Sequence, residues 1–338
     1  MIWDSIRGHR DIADMFRRAI SRGRLAHAYL LVGPHGVGKR LFARTIAQCL
    51  FCEQYPEDEL NGCGTCAACK QVQAGTHPDL LMVGCPPGKK NIPIELLSGS
   101  REHRGRDGLC HDLALRPMSA TRRVALIDDA ELMAEEGANA LLKTLEEPPR
   151  GSIIFLMTPE IDPILPTIRS RCQPIRFSPL SEVDIAELLL EQKFVTDPAV
   201  AAEVAGVAEG SLTTAQDLLE PELRELRNVV LRHVSARDIQ SYVAASAIGA
   251  ALDAFGSDST SQRRYAFWVV HFAVGQLRDM LAACDDIERA DQLGTMLDRC
   301  VEAELHLRQT MPVPLCMEAL FDALSRIQRD HLLARSLG

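Results

Sequence analysis

Short apolar runs punctuate the first half of the chain, at Ala28–Val32, Leu80–Val83, Val124–Ile127, Ile153–Thr158 and Pro174–Phe177. Longer helical stretches separate them. This alternation predicts an α/β fold with a parallel sheet and helices on both faces. Polar, glycine-rich stretches at Gly84–Asn91 and Ser98–Gly108 read as loops. After Ser178 the strand signals stop. Ser181–Glu191 opens on a capping serine with Glu182 and Asp184 in its first turn, which suits a helix start. Asp197–Val207 and Leu212–Leu219 read as two more helices, with Gly210 as the break between them. From about Glu222 to Leu337 the pattern stays helical, with loops expected near Phe255–Ser261 and Met311–Pro314. Pro314 suits the first turn of a final helix. The expected organisation is therefore an α/β domain over residues 1–177, a three-helix unit over 178–221 and an all-helical domain over 222–338.

Composition changes little in this picture. With 46% hydrophobic and 25% charged residues, the 338-residue chain is an ordinary globular one. It has no apolar run long enough to span a membrane and no signal-peptide pattern, so no membrane partner is expected and a cytoplasmic location is the default. The net charge of −9 is uneven. Residues 1–177 hold 23 Lys+Arg against 21 Asp+Glu, and residues 178–338 hold 14 against 25. The bulk field does not favour nucleic acid, so any DNA contact would be local or made by partners.

Candidate chemistry lies in the first half. Gly33-Pro34-His35-Gly36-Val37-Gly38-Lys39 follows a strand and opens a helix. Gly33, Gly36 and Gly38 would let backbone N–H groups curl around phosphates, and Lys39 would place a cation on them. The next position, which normally gives Mg²⁺ a Ser or Thr hydroxyl, is Arg40. Arginine cannot ligate a cation, so ATP and Mg²⁺ are in doubt here. The run Val124–Ile127 ends in Asp128 and Asp129. Asp128 could hold Mg²⁺, whereas Asp129 is one methylene shorter than the glutamate that usually polarises water there. The alternative is that both acids cap the following helix, where negative charge is favoured.

The chain has eleven cysteines, and four of them cluster as Cys52-x10-Cys63-x2-Cys66-x2-Cys69. Each Cys-x2-Cys turn can put two thiolates on one metal, and four cysteines leave no position open for water. A structural zinc is expected; an iron–sulfur cluster also uses four cysteines, but the ferredoxin spacing is absent. Cys49 lies one turn before Cys52 and reads as packing. His77, between Gly75-Thr76 and Pro78, reads as a loop residue that hydrogen-bonds backbone.

In order along the chain, the phosphate loop and the four cysteines are followed by Ala74-Gly75-Thr76-His77-Pro78-Asp79, the acidic strand end, Asn139–Pro149 and Ser170-Arg171-Cys172. His27-Ala28-Tyr29-Leu30 precedes the loop. This constellation resembles the subunits of the bacterial DNA polymerase III clamp loader, an AAA+ assembly, over about residues 1–220. Two subunit kinds share the pattern, the ATP-hydrolysing gamma/tau and the delta-prime. Arg40, Asp129 and Thr213 stand where gamma/tau-like chains keep Thr, Glu and a nucleotide-sensing Arg, which favours the delta-prime kind. The resemblance implies an AAA+ core with a zinc insertion, a lid, and a collar domain packed in a hetero-pentamer with gamma/tau and delta. It implies that Arg171 reaches a neighbour's ATP, with Arg169 a weaker candidate. Thr158 falls where the family places a γ-phosphate sensor. The assembly would load the sliding clamp on primed DNA. Two rival readings are an active gamma/tau-like ATPase and a DNA-binding zinc module on the same scaffold.

Overall fold

In a computed structural model of the protein the apolar runs form strands β1 (Ala28–Val32), β2 (Leu80–Val83), β3 (Arg123–Ile127), β4 (Ser152–Thr158) and β5 (Gln173–Arg176). Residues 2–103, 105–256, 259–309 and 311–337 are described. The strands pair in the order β2-β3-β4-β1-β5, and every pairing is parallel. Parallel neighbours need crossover connections, so helices come to lie on both faces. Two cores result. One holds Phe16, Tyr29, Phe42, Ile46 and Phe155. The other holds Leu30, Leu97, Ile127, Leu141 and Leu156. Tyr29 and Leu30 are consecutive in β1 and fall in different cores, as the two-residue period of a strand requires.

Three strands differ from their apolar runs at four ends. β3 and β4 each begin one residue earlier, on Arg123 and Ser152, and β5 runs from Gln173 to Arg176 rather than to Phe177. Backbone pairing sets the ladder, and a polar side chain joins it if it finds partners. The Arg123 Nη1 donates to the Asp112 carbonyl at 2.7 Å, and the Ser152 hydroxyl to the Pro149 carbonyl at 2.7 Å. Ser98, expected in a loop, ends the short helix Ile94–Ser98.

Three helices follow the sheet. Ser181 caps Glu182–Glu191 by accepting from the Asp184 N–H, and Asp197 caps Pro198–Val207 by accepting from the Ala199 N–H. The third, Leu212–Asp217, stops two residues short of the expected end. Gly210 precedes it with φ +76°, where a Cβ would lie 2.3 Å from that of Pro179. The chain divides into two compact units, Met1–Gln216 and Asp217–Gly338.

The second unit consists of helices Pro221–Val234, Ser241–Asp253, Ser259–Ala282, Ile287–Arg308 and Val313–Leu337. Leu226, Val230, Ile248, Val269, Leu277, Met296 and Phe321 are buried within it. The non-helical turn before Ser241 is held by side chains of the last helix. Gln328 accepts from the Ile239 N–H at 2.7 Å and donates to the Ala236 carbonyl at 2.8 Å, and Ser325 donates to the Ile239 carbonyl at 2.6 Å. The expected loop at Phe255–Ser261 is already helical at Ser259, and residues 257 and 258 lie outside the described ones. The final helix begins at Val313, so Pro314 does sit in its first turn. Among the described residues no helix is long and apolar enough to cross a membrane.

Candidate functional site

The loop between β1 and the helix Lys39–Phe51 turns on Gly36, at φ +74°, and Gly38, at φ +97°. Gly38 sits at the cap position, and no side chain caps the first turn of the helix. The start of the third helix after the sheet lies directly on this loop. A Cβ at Gly36 would stand 2.4 Å from the Ser211 Oγ and 2.7 Å from the Thr213 nitrogen, and the Leu212 N–H donates to the Gly36 carbonyl at 3.2 Å. Lys39 is buried, and its Nζ donates to the Gly33 carbonyl at 2.5 Å and the Pro34 carbonyl at 2.8 Å. Burial pushes this ammonium below the usual lysine value, and the charges of Asp128, Glu131 and Asp129 pull it back in part.

Across the loop, Asp128 directly follows β3 and lies next to Arg40, whose Nη1 is 3.5 Å from its Oδ2. Burial, and then the charge of Asp129, raise the Asp128 carboxyl above the usual range, with Arg40 the largest opposing influence. Asp129 has a left-handed backbone, φ +52°, at the cap position of the turn Ala130–Leu132, yet its side chain makes no capping hydrogen bond. Asp129 thus occupies the cap position that the capping alternative gives it, without a side-chain hydrogen bond there. Thr158 is buried at the end of β4 and donates to the Glu160 carbonyl at 2.7 Å. A cleft of about 240 Å³ beside the acids is lined by Arg40, Gly84, Cys85, Asp128, Asp129 and Met157. Glu131, not singled out from sequence, has a buried Oε2 with no hydrogen-bond partner among the described residues. A larger open cleft, about 870 Å³, lies elsewhere, between Arg101, His111, Glu136 and Lys143, and includes none of the loop residues.

These residues do not fit a magnesium nucleotide. Where the metal would need a hydroxyl there is a guanidinium, already near the one acid suited to ligation.

The cysteines do converge. The sulfurs of Cys52, Cys63, Cys66 and Cys69 lie within 4.8 Å of one another, and those of Cys63 and Cys69 are 3.9 Å apart. A metal ~2.3 Å from each thiolate in a tetrahedron puts sulfurs about 3.8 Å apart, so the four can hold a metal ion. Backbone N–H groups already face the sulfurs. Gln54 and Cys63 donate to Cys52, Thr65 and Cys66 to Cys63, and Cys69 to Cys66, at 3.2–3.4 Å. Hydrogen bonds from Thr65, side chain first, and from the Cys66 amide lower the Cys63 thiol to about 6. Burial raises Cys69, an effect that a bound cation would reverse.

Cys49 stays out of the cluster, fully buried and pushed up to about 12 by burial. Of the other cysteines expected to pack as apolar groups, Cys172, Cys300 and Cys316 are buried, but Cys85, Cys110 and Cys284 are only half-buried. His77 takes no part in the cluster. Its ring stacks on Phe51 with centroids 4.3 Å apart, and its Nδ1 accepts from the Asp79 N–H at 3.2 Å.

The insertion between Cys52 and Cys69 is fastened on several sides. Trp3 Nε1 donates to the Leu60 carbonyl at 2.8 Å, and Gln48 Nε2 to the Cys69 carbonyl at 3.3 Å. Glu57 pairs with Arg122 Nη2 at 2.6 Å and accepts from the Thr121 hydroxyl. Asp79, part of the Gly-Thr-His-Pro-Asp stretch, is wholly buried. It accepts from the N–H groups of Met118, Ser119 and Ala120 at 2.7–2.9 Å. Burial pushes its carboxyl up, but these amides outweigh that and hold it below the usual range.

Arg171 follows the short helix Pro166–Arg169 and is far from neither solvent nor protein. Its Nη2 lies 2.7 Å from the Glu146 Oε1, and its Nη1 donates to the Thr167 carbonyl at 2.9 Å and the Ser170 Oγ at 3.2 Å. Arg169 instead faces Asp162 at 3.5 Å.

Known proteins resemble this chain in the same region. The profile of the family described as DNA polymerase III, delta subunit, matches residues 8–181. The DNA polymerase III subunit delta' of Pseudomonas aeruginosa is 34% identical over 67% of this chain and 65% of its own length. The subunit gamma of Buchnera aphidicola from Acyrthosiphon pisum is 30% identical over 69% of this chain and 60% of its own. The chain thus spans less than two thirds of the length of these relatives. A solved gamma subunit-related protein of Thermotoga maritima overlays with a TM-score of 0.43 at 18% identity, covering 94% of this chain and 99% of that one. A score that low adds nothing to the fold description. The profile match and the identity to the delta' relative suffice: this chain belongs to the DNA polymerase III, delta subunit, family.

Proposed function

We propose that the chain is a delta-prime-type subunit of a DNA polymerase III clamp loader, a stator that supplies an arginine finger to a neighbouring ATPase subunit. Its partners are gamma/tau and delta subunits in a hetero-pentamer, which places the sliding clamp on primed DNA. The first unit up to about residue 177 is the AAA+ core, the three helices to about residue 221 are its lid, and the rest is the collar that joins the pentamer.

One contrast carries this reading. The chain's own phosphate loop is closed by Lys39 and covered by Leu212, and Arg40 replaces the metal-binding hydroxyl beside Asp128. Arg171, by comparison, stands partly exposed just after a short helix, held by Glu146, Thr167 and Ser170. A planar guanidinium can donate hydrogen bonds to γ-phosphate oxygens as negative charge shifts in the transition state. Arginine fingers in phosphate-loop enzymes contribute roughly 10³–10⁵ in rate.

The metal is assigned as zinc, held by Cys52, Cys63, Cys66 and Cys69. Four thiolates leave it no open position, so when bound it supplies rigidity to the insertion rather than reactivity.

The test is Arg171→Ala in a reconstituted loader. Assembly is expected to be normal, and DNA-stimulated ATP turnover to fall at least about 100-fold at the site the finger serves. Unchanged turnover overturns the finger role. The gamma/tau-like alternative, favoured by the similarity to gamma chains, is separated by the isolated protein. Loader-like hydrolysis by the purified chain, abolished by Lys39→Ala, would establish that alternative instead.

A further inference from the structure

Among the described residues, the guanidinium of Arg171 is anchored from outside its own segment by a single group. Glu146 is the last residue of the helix Glu135–Glu146, and Pro148 and Pro149 follow it. The prolines end the helix there, so Glu146 is fixed at its terminus. The contact to Arg171 is 2.7 Å, the length of a charge-assisted hydrogen bond. The other two bonds, to Thr167 and Ser170, come from the immediately preceding turn and move with Arg171 itself. Among the described residues Glu146 alone ties the side chain to a distant part of the chain, on a helix packed in the core through Leu141 and Leu145.

Arginine has five N–H donors. The three bonds to Glu146, Thr167 and Ser170 use one Nη2–H and both Nη1–H groups. The Nε–H and the second Nη2–H have no partner among the described residues, and they suffice for a two-point hold on phosphate oxygens. The carboxylate therefore fixes the guanidinium without consuming it. It also opposes the rotamer freedom of a long side chain, which would otherwise be lost when phosphate is engaged.

We infer that Glu146 is a positioning residue for Arg171, holding its guanidinium so that the free donors face the oxyanion of a neighbouring subunit's nucleotide. This rests on the arginine-finger reading above. The pair is partly exposed, 36% for Arg171 and 51% for Glu146, so its effect is modest in size.

The test is a double-mutant cycle in the complete reconstituted loader, with Glu146→Ala, Glu146→Gln, Arg171→Ala and the Glu146→Ala/Arg171→Ala pair. Glu146→Ala is expected to lower the DNA-stimulated kcat about fivefold, with the KM for ATP and the assembly unchanged. Glu146→Gln, which keeps an acceptor oxygen, recovers part of that loss. In the Arg171→Ala background Glu146→Ala has no further effect. Equal losses in both backgrounds would show that Glu146 acts independently of Arg171. A rise in turnover on Glu146→Ala would show that the carboxylate withholds the arginine rather than presents it. Either result overturns the inference while leaving the finger reading intact. If Arg171→Ala alone is silent, the finger reading fails first.

Discussion

Asp79 is a charged group with no access to water, and it survives because three consecutive amides and the Ser119 hydroxyl surround it. Asp79→Asn would turn N–H donors toward N–H donors and should cost about 3 kcal/mol, read by urea unfolding. Its carboxyl is held below the ordinary 3.8, so the unfolded state binds the proton more readily. The stability it adds is present above pH 3.8 and is lost as pH falls below that. Nearby His77 works at higher pH. Its Nδ1 accepts a hydrogen bond and burial lowers its affinity for a proton below the usual 6.5. The folded state again resists protonation, so stability falls as pH drops through 6.5. Urea midpoints at pH 7.5 and 5.5 should differ, and differ less in His77→Gln. A midpoint that does not move in the parent protein would contradict the assignment. Residues of this kind show where sequence is least informative. The Gly-Thr-His-Pro-Asp stretch was visible, but the partners of Asp79 lie about forty positions later and carry no motif. The same holds for Lys39, whose motif announces phosphate binding while its ammonium rests on the loop's own carbonyls.

At the level of elements, the central strands β1, β3 and β4 were legible because a strand buried on both faces needs an unbroken apolar run. β1 and β2 match their runs residue for residue. The polar starts of β3 and β4 were not, since Arg123 and Ser152 find backbone carbonyls, of Asp112 and Pro149, that carry no sequence signal. The Cys-x2-Cys spacing likewise announced a common centre, and the sulfurs do converge. What spacing did not announce is how the insertion is fastened, through Glu57 to Arg122 and through Gln48 to Cys69. Cys63→Ser should therefore abolish bound zinc, measured by atomic absorption on the purified protein. It should also lower the melting temperature on the order of 10 °C, because metal affinity and folding are one equilibrium. Stoichiometric zinc retained by Cys63→Ser, or iron in place of zinc in the parent protein, would refute the assignment.

At the scale of the molecule, the change in sequence character falls at Ser178 but the compact units part after Gln216. The three intervening helices share no strand signal with the sheet, yet they bond to the loop that follows β1 and to the segment that leaves β5. The Leu212 N–H reaches Gly36, and the Leu180 N–H reaches the Gly210 carbonyl. Helical periodicity names the elements of such a segment and is silent about which neighbour they join. The acidic second half is divided by that boundary: its first part, with Glu182, Asp184, Glu187 and Glu191, belongs to the first unit, and Asp217–Gly338 forms a unit with a core of its own.

The tryptophans divide in the same way. Trp3 bonds the Leu60 carbonyl within the cysteine insertion, whereas Trp268 packs against His271 and Phe272 in the second unit. With just two in the chain, each is a built-in optical reporter for one unit. Chelation should red-shift the emission of Trp3, observed alone in Trp268→Phe, and leave that of Trp268 in Trp3→Phe unchanged. A metal bound in the cysteine insertion would thus announce its own departure, without any added label.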